Sequence, residues 1–168
     1  MTLEEIKHGV SSFWDSIADG WHRLRESAAN ALTRFKPGAD AGLPAKGEVD
    51  DEFYLPSQGW AVLGGDVFED DKQVVIRLEI PGMDKEDLDI EVQGDVVVVR
   101  GEKRFQRESS EGRYHVLQCA YGSFRRTVPL PTPVLSDKAK ANYRNGVLRI
   151  ELPKLATDGP RKLTVKIN

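Results

Sequence analysis

Residues 74–104 read VVIRLEIPGMDKEDLDIEVQGDVVVVRGEKR, and this stretch decides the fold. Val74, Ile76, Leu78 and Ile80 alternate with Val75, Arg77 and Glu79, the period of two that puts one side of a strand in a core. Pro81-Gly82 stops the strand. Leu88, Ile90 and Val92 then alternate with Asp89 and Glu91. Gly94-Asp95 supplies a turn, and Val96 to Val99 form an apolar run of the kind buried on both faces.

The pattern continues toward the C-terminus. Val116–Ala120 and Phe124–Leu130 read as strands on either side of Tyr121-Gly122. Ala139, Ala141 and Tyr143 alternate with Lys140, Asn142 and Arg144. Asn145-Gly146 is a strong signal for a type I′ hairpin turn, because both central residues of that turn need positive φ. Leu148, Ile150 and Leu152 follow, and Pro153 ends the strand. Seven or eight short strands with turns between them and no helical period predict an all-β, antiparallel β-sandwich over residues 60–154.

The flanks differ. Residues 1–36 predict an amphipathic helical arm. Ile6, Val10, Phe13, Trp14, Ile17, Trp21 and Leu24, with Leu3, form one stripe at spacings of three and four. Ala28 to Phe35 continue it, and Thr2 with Glu5 fits a capping box. Residues 37–59 hold three prolines, several glycines and the acidic run Glu48, Asp50, Asp51 and Glu52, and read as a linker. Residues 155–168 read as a C-terminal extension. It carries Leu163, Val165 and Ile167 on one face of a strand-like piece that must find a sheet edge to pair with.

Composition narrows the function. A chain of 168 residues with net charge −3 has no positive field to draw nucleic acid or an anionic membrane. The arm's stripe lacks the basic bias of helices that lie on membranes, which makes a membrane surface an unfavoured partner. The N-terminus lacks the basic and apolar regions of a secretory signal, and no apolar run could span a bilayer, so a cytoplasmic address is expected. Cys119 is the single cysteine, expected as a small buried strand residue. His8, His22 and His115 lack ligand spacing, so no metal is expected. The carboxylates at 69–71 and 85–89 lie near turns and read as solvated. No phosphate loop, dinucleotide fingerprint, metalloprotease motif or nucleophile elbow occurs, so neither an enzyme nor a cofactor is expected.

Ala141-Asn-Tyr-Arg-Asn-Gly-Val-Leu148, with Ala141, Asn145, Gly146, Val147 and Leu148 at the signature positions, resembles the A-x-x-x-n-G-V-L motif of the small heat-shock proteins. The 74–104 stretch, YGSFRRTVPLP (121–131) and NGVLRIELPK (145–154) match that family's order and spacing. The resemblance implies an immunoglobulin-like sandwich, the α-crystallin domain. It implies dimers formed by exchanging a strand on the long loop after GEKR, here about Phe105 to Arg113, with Arg107 and Tyr114 in the same loop. It implies a C-terminal motif, Leu163-Thr-Val165 or in a second register Val165-Lys-Ile167, that docks in a neighbour's groove lined by Leu88, Ile90, Val92, Ala139, Ala141 and Tyr143. Relatives carry an Arg-x-Glu-Arg stretch where this chain reads Val116-Leu117-Gln118-Cys119, which implies less ionic pairing here.

The activity implied is an ATP-independent holdase: a dynamic homo-oligomer built from dimers that binds unfolding client proteins and passes them to ATP-dependent chaperones. The aromatic stripe suits this role, since apolar contact is non-directional and reads no particular sequence. The competing expectation is a monomeric adaptor of the p23-like class, which shares a similar sandwich.

Overall fold

The computed structural model describes residues 31–155, and the expectations for residues 1–30 and 156–168, including Leu163, Val165 and Ile167, lie outside them. Nine strands are described: β1 (Leu32–Lys36), β2 (Gly59–Val62), β3 (Gly65–Glu69), β4 (Gln73–Glu79), β5 (Leu88–Gln93), β6 (Val96–Lys103), β7 (Gly122–Pro129), β8 (Lys140–Arg144) and β9 (Val147–Pro153). They form two antiparallel sheets, ordered β2-β1-β7-β6-β5 and β3-β4-β9-β8. The chain passes from one sheet to the other at Leu63-Gly64. At the opposite side of the sandwich β5 and β8 are the free edges.

The alternation of the central stretch sets the packing. Val74, Ile76 and Leu78 of β4 pair in register with Leu152, Ile150 and Leu148 of β9. All six are buried, and they meet Val97, Val99, Phe124 and Val128 of the other sheet. Burying such side chains contributes roughly 1.5–3 kcal/mol each and drives the two sheets together. Asn145 (φ 53°) and Gly146 (φ 76°) make the predicted turn between β8 and β9.

Four sequence expectations are corrected. Residues 32–36, read as the end of a helix, are strand β1. Thr33 and Phe35 point inward while Leu32, Arg34 and Lys36 stay exposed, and the Phe35 ring packs 5.0 Å from Phe124. A helical period and a strand period are hard to separate over five residues. The deciding backbone partners, β2 and β7, are distant in sequence. Residues 116–120 are not a strand. Leu117 and Ala120 are buried, but Val116 is exposed. Cys119 is likewise exposed rather than buried. Finally, the 37–59 segment is more than a spacer: Pro44, Val49 and Tyr54 are buried, and β2 begins at its last residue. Among the described residues no helix is long and apolar enough to cross a membrane.

Candidate functional site

The free edges β5 and β8 come from different sheets, and their inward-facing residues are not fully covered. Leu88, Ile90, Ala141 and Tyr143 line a groove of about 370 Å³ floored by Leu148, with Lys85 and Asn142 at its rim. Four of the six predicted groove residues therefore meet. Val92 and Ala139 are half-buried against the main core and do not line this groove. Among the described residues each edge strand also keeps one side of its backbone without a strand partner, which suits the groove to an added strand.

Tyr143, one of the groove's lining residues, also anchors its strand. Its hydroxyl donates to the carbonyls of Ile80 (2.7 Å) and Met83 (3.2 Å), tying β8 to the segment that leads into β5. Tyr143→Phe should cost about 1 kcal/mol, the usual net contribution of such a bond, read as a lower midpoint in urea unfolding. An unchanged midpoint would mean that water replaces the tyrosine's role fully.

The signature residues have separate tasks. The Gly146 carbonyl accepts from the Ile80 amide at 2.8 Å. A Cβ on Gly146 would lie 3.2 Å from the Pro81 Cα. The N-G turn is thus pressed onto the P-G turn that ends β4. Leu148 is buried, Val147 is half-buried and Ala141 is exposed at the groove wall.

The loop 104–121 is drawn onto its own chain by a segment whose role the sequence did not reveal. Phe105 packs on Tyr114 (5.8 Å between ring centroids) and edge-on against Tyr121 (5.1 Å). Both belong to a second apolar cluster with Val49, Tyr54 and Leu117. The Asp50 amide donates to the Tyr114 carbonyl at 3.0 Å, beside a parallel bridge between Val49 and Tyr114. Arg113 donates to Asp50 (2.7 Å), His115 Nδ1 lies 2.7 Å from the other Asp50 oxygen, and Arg107 reaches Glu48 at 3.4 Å. All four predicted loop residues are placed together here. The signal that could have found their partner is the acidic run at 48–52.

The Arg113 hydrogen bond, and then that of His115, hold the Asp50 carboxyl below its ordinary value. The Ala45 amide, and then Arg107, do the same for Glu48. Both pKa values are lower in the folded chain, so their contribution is fully present above the ordinary carboxylate range and is lost as pH falls through the lowered values. Hydrogen exchange at the Asp50 amide, corrected for its intrinsic rate, should therefore accelerate below pH 3.8, the ordinary aspartate value. Asp50→Asn should show the loosened clasp at every pH. The effect should be modest, because these ion pairs are exposed.

Among the described residues no three His, Cys, Asp or Glu side chains are grouped as a metal site requires.

Comparison with known proteins adds the family. A model of the Hsp20/alpha crystallin family matches residues 66–168. Small heat shock protein C2 of Rickettsia felis is 33% identical over 60% of this chain and 66% of its own length. Spore protein SP21 of Stigmatella aurantiaca is 30% identical over 60% of this chain and 59% of its length. The chain thus spans less than two thirds of the length of these relatives. Heat shock protein 16.0 of Schizosaccharomyces pombe superposes with a TM-score of 0.53 at 31% identity, covering 62% of this chain and 97% of that one. A small heat-shock protein of Xylella fastidiosa, whose structure is described as having a distinct high order structure, superposes with a TM-score of 0.51 at 29% identity, covering 64% of this chain and 98% of that one. With a two-sheet sandwich, the N-G-V-L turn locked on P-G and a family match over well over half its length, this chain belongs to the Hsp20/alpha crystallin family, whose members are chaperones rather than enzymes.

Proposed function

We propose that this protein is an ATP-independent holdase of the cytoplasm, acting as a dynamic oligomer of dimers that captures partially unfolded proteins before they aggregate. The observation that carries the reading is the β5–β8 groove, an apolar slot between two free sheet edges. Such a slot suits a short alternating strand with two apolar side chains, and this chain carries one at Leu163 and Val165, with Val165 and Ile167 as the second register. In this reading Val92 and Ala139 support the groove from beneath.

Each latch is weak. Two buried aliphatic side chains contribute roughly 1.5–3 kcal/mol apiece, and ordering the tail offsets part of that. Many weak latches hold a particle together while allowing it to exchange subunits. Warming then frees dimers and with them the aromatic arm, whose stripe of Phe13, Trp14, Ile17, Trp21 and Leu24 binds exposed apolar surface. Aggregation outruns refolding for such clients, so binding alone protects them, and ATP-dependent chaperones complete the refolding. In the dimer the loop from about Phe105 to Arg113, with Arg107 and the adjoining Tyr114, crosses to the partner. That exchange must first release the clasp on Glu48 and Asp50.

The test is light scattering from a heat-labile client mixed with an equal mass of this protein without ATP. Suppression across several clients is expected, and no suppression with any of them would sink the reading. A species near the monomer mass in solution would instead favour the adaptor reading.

A further inference from the structure

The solvent face of the β1–β2 ribbon sets exposed apolar side chains beside Arg34 and Lys36, where the rest of its sheet is mostly charged. Leu32 stands opposite Val62 and Arg34 opposite Trp60, and these four side chains point away from the core that takes Thr33, Phe35 and Ala61. Leu32 is 46% exposed, Trp60 53% and Val62 59%. Trp60 continues into a shallow groove with Phe53 and Leu55, both exposed. Across β5 to β7 the same outer surface instead carries Asp89, Glu91, Arg100, Glu102 and Arg125.

The apolar end of this sheet is also where residues 1–30 join it. The Ala31 carbonyl accepts from the Leu63 amide at 2.9 Å, which fixes the start of β1 beside Val62. We propose that residues 1–30 of the same chain fold back over this face, their apolar stripe covering Leu32, Val62 and Trp60.

Reach, connection and charge all favour this occupant. The ten residues from Trp21 to Ala31 span about 15 Å as helix. The step from Val62 to Trp60 along β2 is only about 7 Å. A covalently joined segment acts at an effective concentration in the millimolar range, so modest apolar contact suffices. Residues 1–30 hold five acids (Glu4, Glu5, Asp15, Asp19, Glu26) against three bases. The ribbon presents Arg34 and Lys36, with Arg125 on the next strand, and none of the three makes an ion pair among the described residues. A second copy of the same face would set these cations against their own kind, whereas the arm brings carboxylates. The face and the arm would then shield each other at rest, and releasing one exposes both. The proposal concerns where the arm rests and stands apart from the holdase reading, which client scattering tests without it.

The test uses the full chain. Trp60 is replaced by the photo-crosslinking residue benzoylphenylalanine, and nitrogen-15-labelled and unlabelled protein are mixed before irradiation. Capture of peptides from residues 1–30 carrying the same label as residue 60 is expected. In parallel, hydrogen exchange over residues 10–24 should quicken about tenfold in a Trp60→Ser, Val62→Ser double variant while residues 65–155 stay unchanged. Phe68→Ser, which removes an exposed aromatic from the other sheet's edge, should leave the arm's exchange as it is. Capture only between differently labelled chains, capture of residue 60 by itself across two copies, or no change in arm exchange would each overturn the proposal.

Discussion

Gly122→Val is expected to lower the stability of the sandwich by about 3 kcal/mol or more, with a fall in Tm of about 10 °C or more. Gly122 adopts φ +110°, a conformation that side-chain-bearing residues rarely take, and a Cβ there would lie 2.3–2.4 Å from the backbone of Lys36 and Pro37. Strand β1 crosses so close to the start of β7 that only a hydrogen fits. Gly112 is the natural control. Its φ is +116°, yet nothing lies within 4 Å of its would-be Cβ. Gly112→Val should therefore cost only the backbone term, about 1–3 kcal/mol and less than at Gly122. The difference between the two substitutions, read by thermal unfolding, isolates the close approach of β1. Equal losses would mean that β1 does not lie against β7 in solution.

The second large effect concerns assembly. Ending the chain at Leu155 is expected to reduce the particle to dimers, measured by light scattering on a size-exclusion column, while the sandwich keeps its Tm. Ala141→Asp should do the same in the full-length chain. Ala141 is exposed at the groove wall, so a carboxylate there leaves the core intact. It would, however, have to be desolvated when an apolar tail docks, at a cost well above the few kcal/mol a latch supplies. A truncated chain of unchanged mass, or an Ala141→Asp particle of full size beside a collapsed truncation, would place the latch elsewhere than in this groove. Removing the arm to test its part in assembly should stop at residue 30. A deletion to residue 36 also strips out β1 and uncovers Phe124.

The central part of the sandwich was legible because its signals are local. Alternation in β4, β5, β8 and β9 is a property of neighbouring residues. So is the positive φ that Asn145-Gly146 accepts, and so are the stops at Pro81-Gly82 and Pro153. The groove residues followed from the family resemblance, which pointed to β5 and β8, and from the alternation of those strands. That four of them line one groove, while Val92 and Ala139 pack against the main core instead, was decided by the packing of the two sheets.

What the amino-acid order alone determined is the set of strands from β4 to β9, apart from the irregular segment before β7, and the inward face of β4, β5, β8 and β9. Those features need only chain geometry and the burial of apolar side chains. Tertiary structure decided the rest. It made a strand of Leu32–Lys36, because backbone partners for that segment arrive from residues 59–62 and 123–124. It left Val116 and Cys119 in solvent, because no strand among the described residues pairs with their segment. It turned an acidic linker into a clasp, because the side chains that hold it, Arg107, Arg113 and His115, sit some sixty residues away and meet it only when the fold closes.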